Sequence, residues 1–141
     1  MAGVYQISNN EKKIDELIKQ FKLEEILNKR TKTLSGGWQR RLSIAISLIN
    51  NPKILFLDEP TLGLDVIARK ELWKVINELK GKITIILTTH YMEEAESLSD
   101  RIGIMANGKL VDVGTSEDLI KKTKTNNFED AFVSIATGGE L

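Results

Sequence analysis

The sequence predicts an α/β domain with a mostly parallel sheet and flanking helices. Helical periodicity runs through the first fifty residues, and two short apolar runs separated by a helical stripe follow Pro52. That second pattern is typical of the strand–helix–strand crossover of a parallel sheet. With 41% hydrophobic and 28% charged residues, the 141-residue chain also has the composition of one globular domain. We therefore place a helical subdomain at residues 1–51 and an α/β core at residues 52–141.

Two amphipathic helices are expected in the first part. Within residues 11–21 the apolar residues fall on one helical stripe: Ile14, Leu17, Ile18 and Phe21. Residues Leu23 to Leu27 continue this apolar helical pattern. A second stripe follows Gly37 and consists of Leu42, Ala45, Ile46 and Ile49. This helix should end before Pro52, because a residue that precedes proline avoids helical geometry.

The core begins with two strands and the helix between them. Residues 54–57 and 83–87 are continuous apolar runs, which predicts strands buried on both faces. Between them, Leu72 to Leu79 carry a helical stripe that Gly81 closes. Further along, Asn107-Gly108 lies between two alternating runs and predicts a hairpin. Two helices follow, at residues 116–122 and from Phe128 to Ile135.

Composition excludes several classes of function. The sequence has 20 basic residues (Lys and Arg) and 20 acidic residues (Asp and Glu). It therefore has no net charge that would attract it to nucleic acid or to an anionic membrane. There is no cysteine and only one histidine, which excludes a Cys- or His-based zinc site. No run approaches the roughly 20 apolar residues of a membrane span. We expect no nucleic-acid partner, no transmembrane segment and a cytoplasmic location.

A glycine-rich segment, LSGGWQRR, directly precedes the second helix. Backbone N–H groups at Ser35, Gly36 and Gly37 could face a phosphate there, since a helix N-terminus favours negative charge. Glycine permits the close backbone approach that such a contact needs. The alternative is a serine N-cap followed by two loop glycines.

Two acidic residues follow the strand of ILFLDEP. The carboxyl ends of parallel strands are where open α/β sheets bind ligands. There, Asp58 could hold Mg²⁺ and Glu59 could orient or deprotonate an attacking water. The alternative is that both residues are solvated turn or cap residues. His90 follows the strand of ITIILTT and is expected at the same edge, although a lone histidine is more often structural.

These segments together resemble the ATP-binding-cassette (ABC) ATPases, a family of P-loop NTPases. LSGGWQRR resembles the family signature, ILFLDEP its Walker B strand with the catalytic glutamate, and TLGLD, which contains Asp65, its D-loop. His90 matches the switch histidine that contacts the γ-phosphate. Trp38 stands at a place where the family most often has glutamine. The resemblance begins near Glu11, covers nearly the whole chain, and is closest to exporter-type cassettes.

The phosphate loop of this family, written G-x-x-x-x-G-K-[ST], does not occur in the sequence. GIMANGKL (residues 103–110) nearly matches, but Leu110 replaces the hydroxyl residue, and the segment predicts a hairpin rather than a strand and a helix. Gln6 does not fit the glutamine loop either. The resemblance therefore implies a partial domain: part of the helical subdomain, and the C-terminal half of the nucleotide-binding core.

The resemblance also implies a function and partners. The parent activity is ATP hydrolysis that drives transport, in the direction of export, with ATP and Mg²⁺ as cofactors. Asp58 would serve Mg²⁺, Glu59 and His90 would be catalytic, and Ser35, Gly36, Gly37, Gln39 and Asp65 would contact nucleotide. A membrane-spanning subunit and a second, head-to-tail cassette would be the partners, at the inner face of the membrane. Without the phosphate loop, the chain alone is expected to be inactive.

Two other interpretations remain open. The chain could be a non-catalytic fragment that binds or regulates an intact cassette. It could also be a relative of the DNA-repair cassettes, but these separate the two halves of the domain by long coiled coils, and no heptad run occurs here.

Overall fold

The computed structural model describes residues 10–139. These residues form two compact units, one ending at Thr88 and one beginning at Thr89. Helices and strands have the following bounds: α1 Asn10–Gln20, α2 Gly36–Ser47, β1 Ile54–Asp58, α3 Val66–Leu79, β2 Thr84–Thr88, α4 Met92–Leu98, β3 Ile102–Ala106, β4 Lys109–Gly114, α5 Ser116–Thr123 and α6 Phe128–Thr137. The fold is α/β, as predicted, and Gln6 lies outside the described residues.

Helices α1 and α2 confirm the two helical stripes predicted before Pro52. Leu17 and Phe21 of the first stripe are buried, and so are Ile44 and Ala45 of α2. Residues 23–27 do not continue α1. They contain a short 3-10 turn, Glu24–Ile26, in which Ile26 is buried whereas Leu27 is 57% exposed.

The β1–α3–β2 crossover is also confirmed. The two strands pair in parallel, with a register that runs from Ile54 opposite Thr84 to Asp58 opposite Thr88. Helix α3 begins earlier than its apolar stripe suggested, because the carboxylate of Asp65 caps it at the Ala68 N–H. The inner side of α3 is buried, including Leu72 and Ile76.

Strands β1 and β2 are not buried on both faces, so that prediction was wrong. Leu55 and Leu57 are buried on one face of β1, whereas Ile54 and Phe56 on the other are 50% and 70% exposed. Ile86 of β2 is 44% exposed as well. A continuous apolar run gives both faces the composition of a core, but the described residues provide packing partners for only one of them.

The second unit contains the predicted hairpin, β3 and β4, and three helices. The strands are antiparallel, with a bulge between Ile104 and Met105. Asn107 and Gly108 both have positive φ, as a two-residue hairpin turn requires. Helices α5 and α6 pack on this hairpin around a core of Ile102, Ile104, Leu119, Phe128 and Ala131. Helix α4 was not predicted.

The hairpin settles the nature of GIMANGKL. Its first half is β3, its centre is the turn, and its end enters β4. A phosphate loop needs a helix after the glycines, so the rejection of this segment is confirmed. Within residues 10–139, no helix has the length and apolar character needed to cross a membrane.

Candidate functional site

The C-terminal end of β1 brings Asp58 and Glu59 to the edge of the parallel pair. Asp58 is exposed and accepts a hydrogen bond from the hydroxyl of Thr88, its partner in the register. The backbone N–H of Glu59 donates to the carbonyl of Thr88 at 2.9 Å. The end of β2 therefore holds both acidic residues in place, as expected where ligands bind to an open α/β sheet.

Glu59 has an unusual backbone conformation. Its φ is +45°, in the left-handed region that residues other than glycine rarely adopt. Such strain costs roughly 1–3 kcal/mol and persists where the surrounding structure requires it, often at functional sites. Here the bond to Thr88 and the turn that follows hold the residue in this conformation. Glu59 is therefore positioned at a sharp change of direction directly after the strand.

The segment after Glu59 is a compact turn that leads into α3. The N–H of Leu62 donates to the carbonyl of Glu59 at 3.2 Å, and that of Leu64 donates to Thr61 at 3.1 Å. Thr61 is almost completely buried, and Gly63 has a φ of +78°. Asp65 closes the turn as the N-cap of α3, with Oδ1 3.0 Å from the Ala68 nitrogen. The structure thus gives Asp65 a capping role.

The segment LSGGWQRR, which resembles the signature, leads into and forms the start of α2. Ser35 is the N-cap residue and has extended backbone angles, but its hydroxyl accepts no hydrogen bond from the described N–H groups of the helix. Helices α3, α5 and α6 do have such caps, from Asp65, Thr115 and Asn127. Since the first N–H groups of a helix lack intrahelical acceptors, this end of α2 can accept an anion.

Both signature glycines allow α2 to pack closely on the turn and on α3. A Cβ added to Gly36 would lie 3.2 Å from Cδ2 of Leu64, and one added to Gly37 would lie 3.1 Å from Cβ of Ala68. Both distances are tighter than ordinary van der Waals contact. The structure therefore brings the signature together with the turn that follows Asp58 and Glu59.

Polar contacts of Gln39 and Arg41 strengthen the same arrangement. The side-chain amide of Gln39 donates to the carbonyl of Leu34 at 3.0 Å, which holds the loop before α2. Arg41 is buried, forms an ion pair with Glu71 of α3, and stacks 4.8 Å from the centre of the Trp38 ring. Gln39 therefore contacts its own loop.

His90 lies in the second unit, between β2 and α4. It is exposed, and its ring centre is 4.2 Å from that of Tyr91. The N–H of Tyr91 in turn donates to the hydroxyl of Thr89 at 3.0 Å. As predicted, the histidine follows the C-terminal end of a strand.

A magnesium ion would need ligands from a nucleotide at this site. Among residues 10–139, no group of three histidine, cysteine or acidic side chains could enclose a metal ion. Mg²⁺ usually takes one or two carboxylates and completes its shell with phosphate oxygens and water. The exposed carboxylate of Asp58, beside the Thr88 hydroxyl, could supply one such carboxylate ligand.

Sequence reasoning missed two residues of this site. Thr88 was not singled out, although it ends β2 directly before Thr89 and His90; its role depends on a strand register that the sequence does not reveal. Glu71 was missed because it lies 30 residues from its partner Arg41. Glu71 is exposed and lies outside the apolar stripe of α3, so the sequence pattern gave no signal for it.

The chain is similar to many ABC transporters. A family model described as ABC transporter matches residues 3–62. ABC transporter A family member 2 of Arabidopsis thaliana is 53% identical over 103 residues, 73% of this chain and 10% of the relative. ABC transporter A family member 7 of Dictyostelium discoideum is 50% identical over 106 residues, 75% of this chain and 13% of the relative. The chain thus spans only about a tenth of these proteins.

Solved structures show the same relationship at the level of the fold. The ATP-binding subunit of an ABC transporter superposes with a TM-score of 0.77 and 29% identity, covering 95% of this chain and 58% of that one. An ATP-binding cassette of another ABC transporter gives 0.75 and 27%, covering 94% and 53%. The chain therefore belongs to the ABC transporter family, and its fold matches just over half of the family's ATP-binding domain.

Proposed function

We propose that this chain contributes to an ABC transporter in which ATP hydrolysis drives export through a membrane-spanning partner. Its membership of the family and its ATP-binding fold support this proposal. The site would face the cytoplasm, with the chain held at the inner face of the membrane by that partner.

On one side of the site, the residues after β1 and β2 would act on a nucleotide. Asp58 would contribute one carboxylate to a magnesium ion, which neutralises phosphate charge when bound. Glu59, held in its strained conformation, would orient the attacking water and accept its proton. His90 would contact the γ-phosphate. The bond from Thr88 would keep the Asp58 carboxylate in position.

On the other side, the start of α2 would bind the phosphates of a nucleotide held by a second cassette. The hydrogen-bond donors available there are the Ser35 hydroxyl, which caps no N–H group, and the N–H groups of Gly36 and Gly37. Gln39 would support the loop, and Asp65 would hold the adjoining start of α3. This uncapped helix start, packed on the turn after Glu59, is the observation on which the proposal mainly rests.

A second candidate function requires only the start of α2. No G-x-x-x-x-G-K-[ST] motif occurs in the 141 residues, so nothing in the sequence matches the cradle that normally holds ATP. The start of α2 does not need that cradle in its own chain. The chain would then act as a non-catalytic partner that completes the site of an intact cassette.

Calorimetry and an ATPase assay test the role of the start of α2, which both functions share. The chain alone should show no micromolar affinity for ATP with Mg²⁺ and no hydrolysis. Mixed with an intact ABC cassette whose own signature serine is replaced, it should restore ATP hydrolysis. Micromolar binding by the chain alone would contradict the claim that the phosphate cradle is absent. No restoration in the mixture would contradict the partner role.

Ser35→Ala and Ser43→Ala form a matched pair for this assay. Both serines belong to the α2 region and are exposed, but only Ser35 lies at the helix start. Because the Ser35 hydroxyl caps no N–H group, its loss should change the free energy of unfolding by less than about 0.5 kcal/mol. Ser35→Ala should reduce the restored hydrolysis at least tenfold, which is about 1.4 kcal/mol of transition-state stabilisation, and Ser43→Ala should not.

A further inference from the structure

Arg41 is a charged side chain buried where α2 contacts α3. It is only 7% exposed, whereas most arginines keep the guanidinium group in water. The guanidinium group donates to the carboxylate of Glu71, whose side chain is 53% exposed. Its central carbon, Cζ, lies 4.8 Å from the centre of the Trp38 ring. Arg41 is therefore held between an acidic residue of the neighbouring helix and an aromatic residue of its own helix.

The spacing along both helices places this ion pair next to the glycine contact. Arg41 is four residues after Gly37, and Glu71 of the other helix is three residues after its Ala68. Residues with these separations are neighbours on one face of a helix. A Cβ added to Gly37 would lie 3.1 Å from that of Ala68, so the helices also meet there. The two contacts are roughly 5–6 Å apart along the helices. Together they fix the angle between α2 and α3, whereas one contact alone would allow the helices to pivot.

Such an ion pair is expected to act on position more than on stability. Removing a guanidinium group from water offsets much of its attraction to a carboxylate, and apolar residues of similar volume often stabilise a fold equally well. What Arg41 adds is geometry, because its planar group is held from two directions by the Glu71 carboxylate and the Trp38 ring. Its loss should therefore change the placement of α2 more than the free energy of unfolding.

The start of α2 and the turn after Glu59 both depend on this angle. Gly36 packs on Leu64 of that turn, and the N–H of Leu62 donates to the carbonyl of Glu59 at 3.2 Å. We propose that Arg41 is a positioning residue, which holds the phosphate donors at the start of α2 in a fixed direction relative to that turn. This inference rests on the proposed function of the start of α2. Groups that act on a transition state need placement within about 0.5 Å, which a pivoting helix does not provide.

Arg41→Met and Arg40→Met form a matched pair for the mixture with an intact cassette whose own signature serine is replaced. Methionine keeps an unbranched apolar side chain at position 41 but removes the ion pair, whereas Arg40 is exposed on the same helix. With the chain at saturating concentration, Arg41→Met should lower the maximal rate of restored hydrolysis at least tenfold. The KM for ATP should change less than about twofold, because the intact cassette holds the nucleotide. Arg40→Met should change neither value.

Two further variants separate the ion pair from the rest of the side chain. Arg41→Lys keeps a cation for Glu71 and should stay within about threefold of the unmodified maximal rate. Arg41→Met combined with Glu71→Leu removes both charges, so that no charge is left without its partner, and should give the same loss as Arg41→Met.

Measurements on the chain alone separate position from folding. The thermal midpoint of Arg41→Met should lie within about 5 °C of the unmodified value. In NMR spectra the indole N–H signal of Trp38 should shift in this variant, while that of Trp73, the other tryptophan in the sequence, should not. The amide of Gln39 donates to the carbonyl of Ser35 at 2.9 Å in the first turn of α2. Its hydrogen exchange should become at least tenfold faster in Arg41→Met, but not in the control.

Different results overturn the inference and the proposed function. Hydrolysis that is lost in Ser35→Ala but unchanged in Arg41→Met would overturn the positioning role alone. A loss that more chain reverses, or that Arg40→Met reproduces, would also overturn it, because folding or surface charge would then be the cause. No hydrolysis with the unmodified chain would overturn the proposed function. Unchanged Trp38 and Gln39 signals in Arg41→Met would overturn the inference whatever the assay shows.

Discussion

Glu59 combines two properties that an ordinary surface glutamate does not need. Its φ of +45° is costly for a side chain with a Cβ, and its N–H is bonded to the end of β2. A glycine at this position would remove the strain, but it would also remove the carboxylate. Retaining glutamate at this position is what a catalytic role predicts, because functional sites often give up stability for chemistry.

Glu59→Gly should therefore stabilise the fold while removing the proposed water-activating group. We expect the free energy of unfolding to rise by about 0.5–1 kcal/mol in urea denaturation. Glu78→Gly is the control, because Glu78 is exposed within helix α3 and the same change should cost about 1 kcal/mol there. If Glu59→Gly lowered the free energy of unfolding as much as the control does, the claim that the backbone of Glu59 is strained would be contradicted.

Asp112 of β4 provides a prediction on pH. The Lys122 ammonium, which donates to its carboxylate, lowers the pKa of Asp112 below the ordinary value of 3.8, and the Val113 N–H lowers it further. Because the pKa is lower in the folded state, the stabilisation is present above the ordinary value and is lost as pH falls below it.

Lys122→Met should raise the pKa of Asp112 toward its ordinary value and weaken the loss of stability below about pH 4. An NMR titration of the Asp112 carboxyl measures this directly. Lys121→Met is the control, because Nζ of Lys121 lies 4.0 Å from Oε2 of Glu117 and Lys121 is not among the groups that lower the pKa of Asp112. An unchanged pKa in Lys122→Met would show that the ion pair does not form.

At the scale of elements, α2 packs closely on the start of α3. Gly36 and Gly37 bring the backbone of α2 against Leu64 and Ala68, and the Arg41–Glu71 pair joins the two helices one turn further on. The signature and the turn after Glu59 are therefore mechanically linked. A displacement of one should be transmitted to the other through these contacts.

The two faces of β1 should respond differently to substitution. Leu57→Ala should cost about 2–4 kcal/mol, because the side chain is buried and its removal leaves a cavity. Phe56→Ala should cost less than about 1 kcal/mol, because the ring is 70% exposed. Urea denaturation measures both. A cost at Phe56 as large as that at Leu57 would mean that the outer face is covered in solution.

Elements with strong local signals were predictable from the sequence. The stripe of α1, the apolar run of β1 and the Asn107-Gly108 turn all formed where expected, because each depends on neighbouring residues alone. Helix α4 was missed because its seven residues carry too few apolar positions to form a clear stripe. The exposure of one face of β1 could not be predicted, because an apolar run does not indicate which residues pack on each face.

For the whole molecule, the family was predictable from the sequence, but the contacts that join the segments of the candidate site were not. The order and spacing of LSGGWQRR, ILFLDEP and His90 were sufficient to predict the family, and the relatives confirm that prediction. The bond of Thr88 to Asp58 and the packing of Gly37 on Ala68 join residues about 30 positions apart. Such contacts depend on strand register and helix packing, which local patterns do not encode.

Our central claim is that the start of α2 serves a nucleotide held by a second cassette. Sedimentation of the chain with an intact ABC cassette, made hydrolysis-deficient at its catalytic glutamate, tests this claim most directly. We predict a complex that forms with ATP and Mg²⁺, dissociates without nucleotide, and is weakened at least tenfold by Ser35→Ala but not by Ser43→Ala. Association that is equal with and without nucleotide, or unaffected by Ser35→Ala, would contradict it.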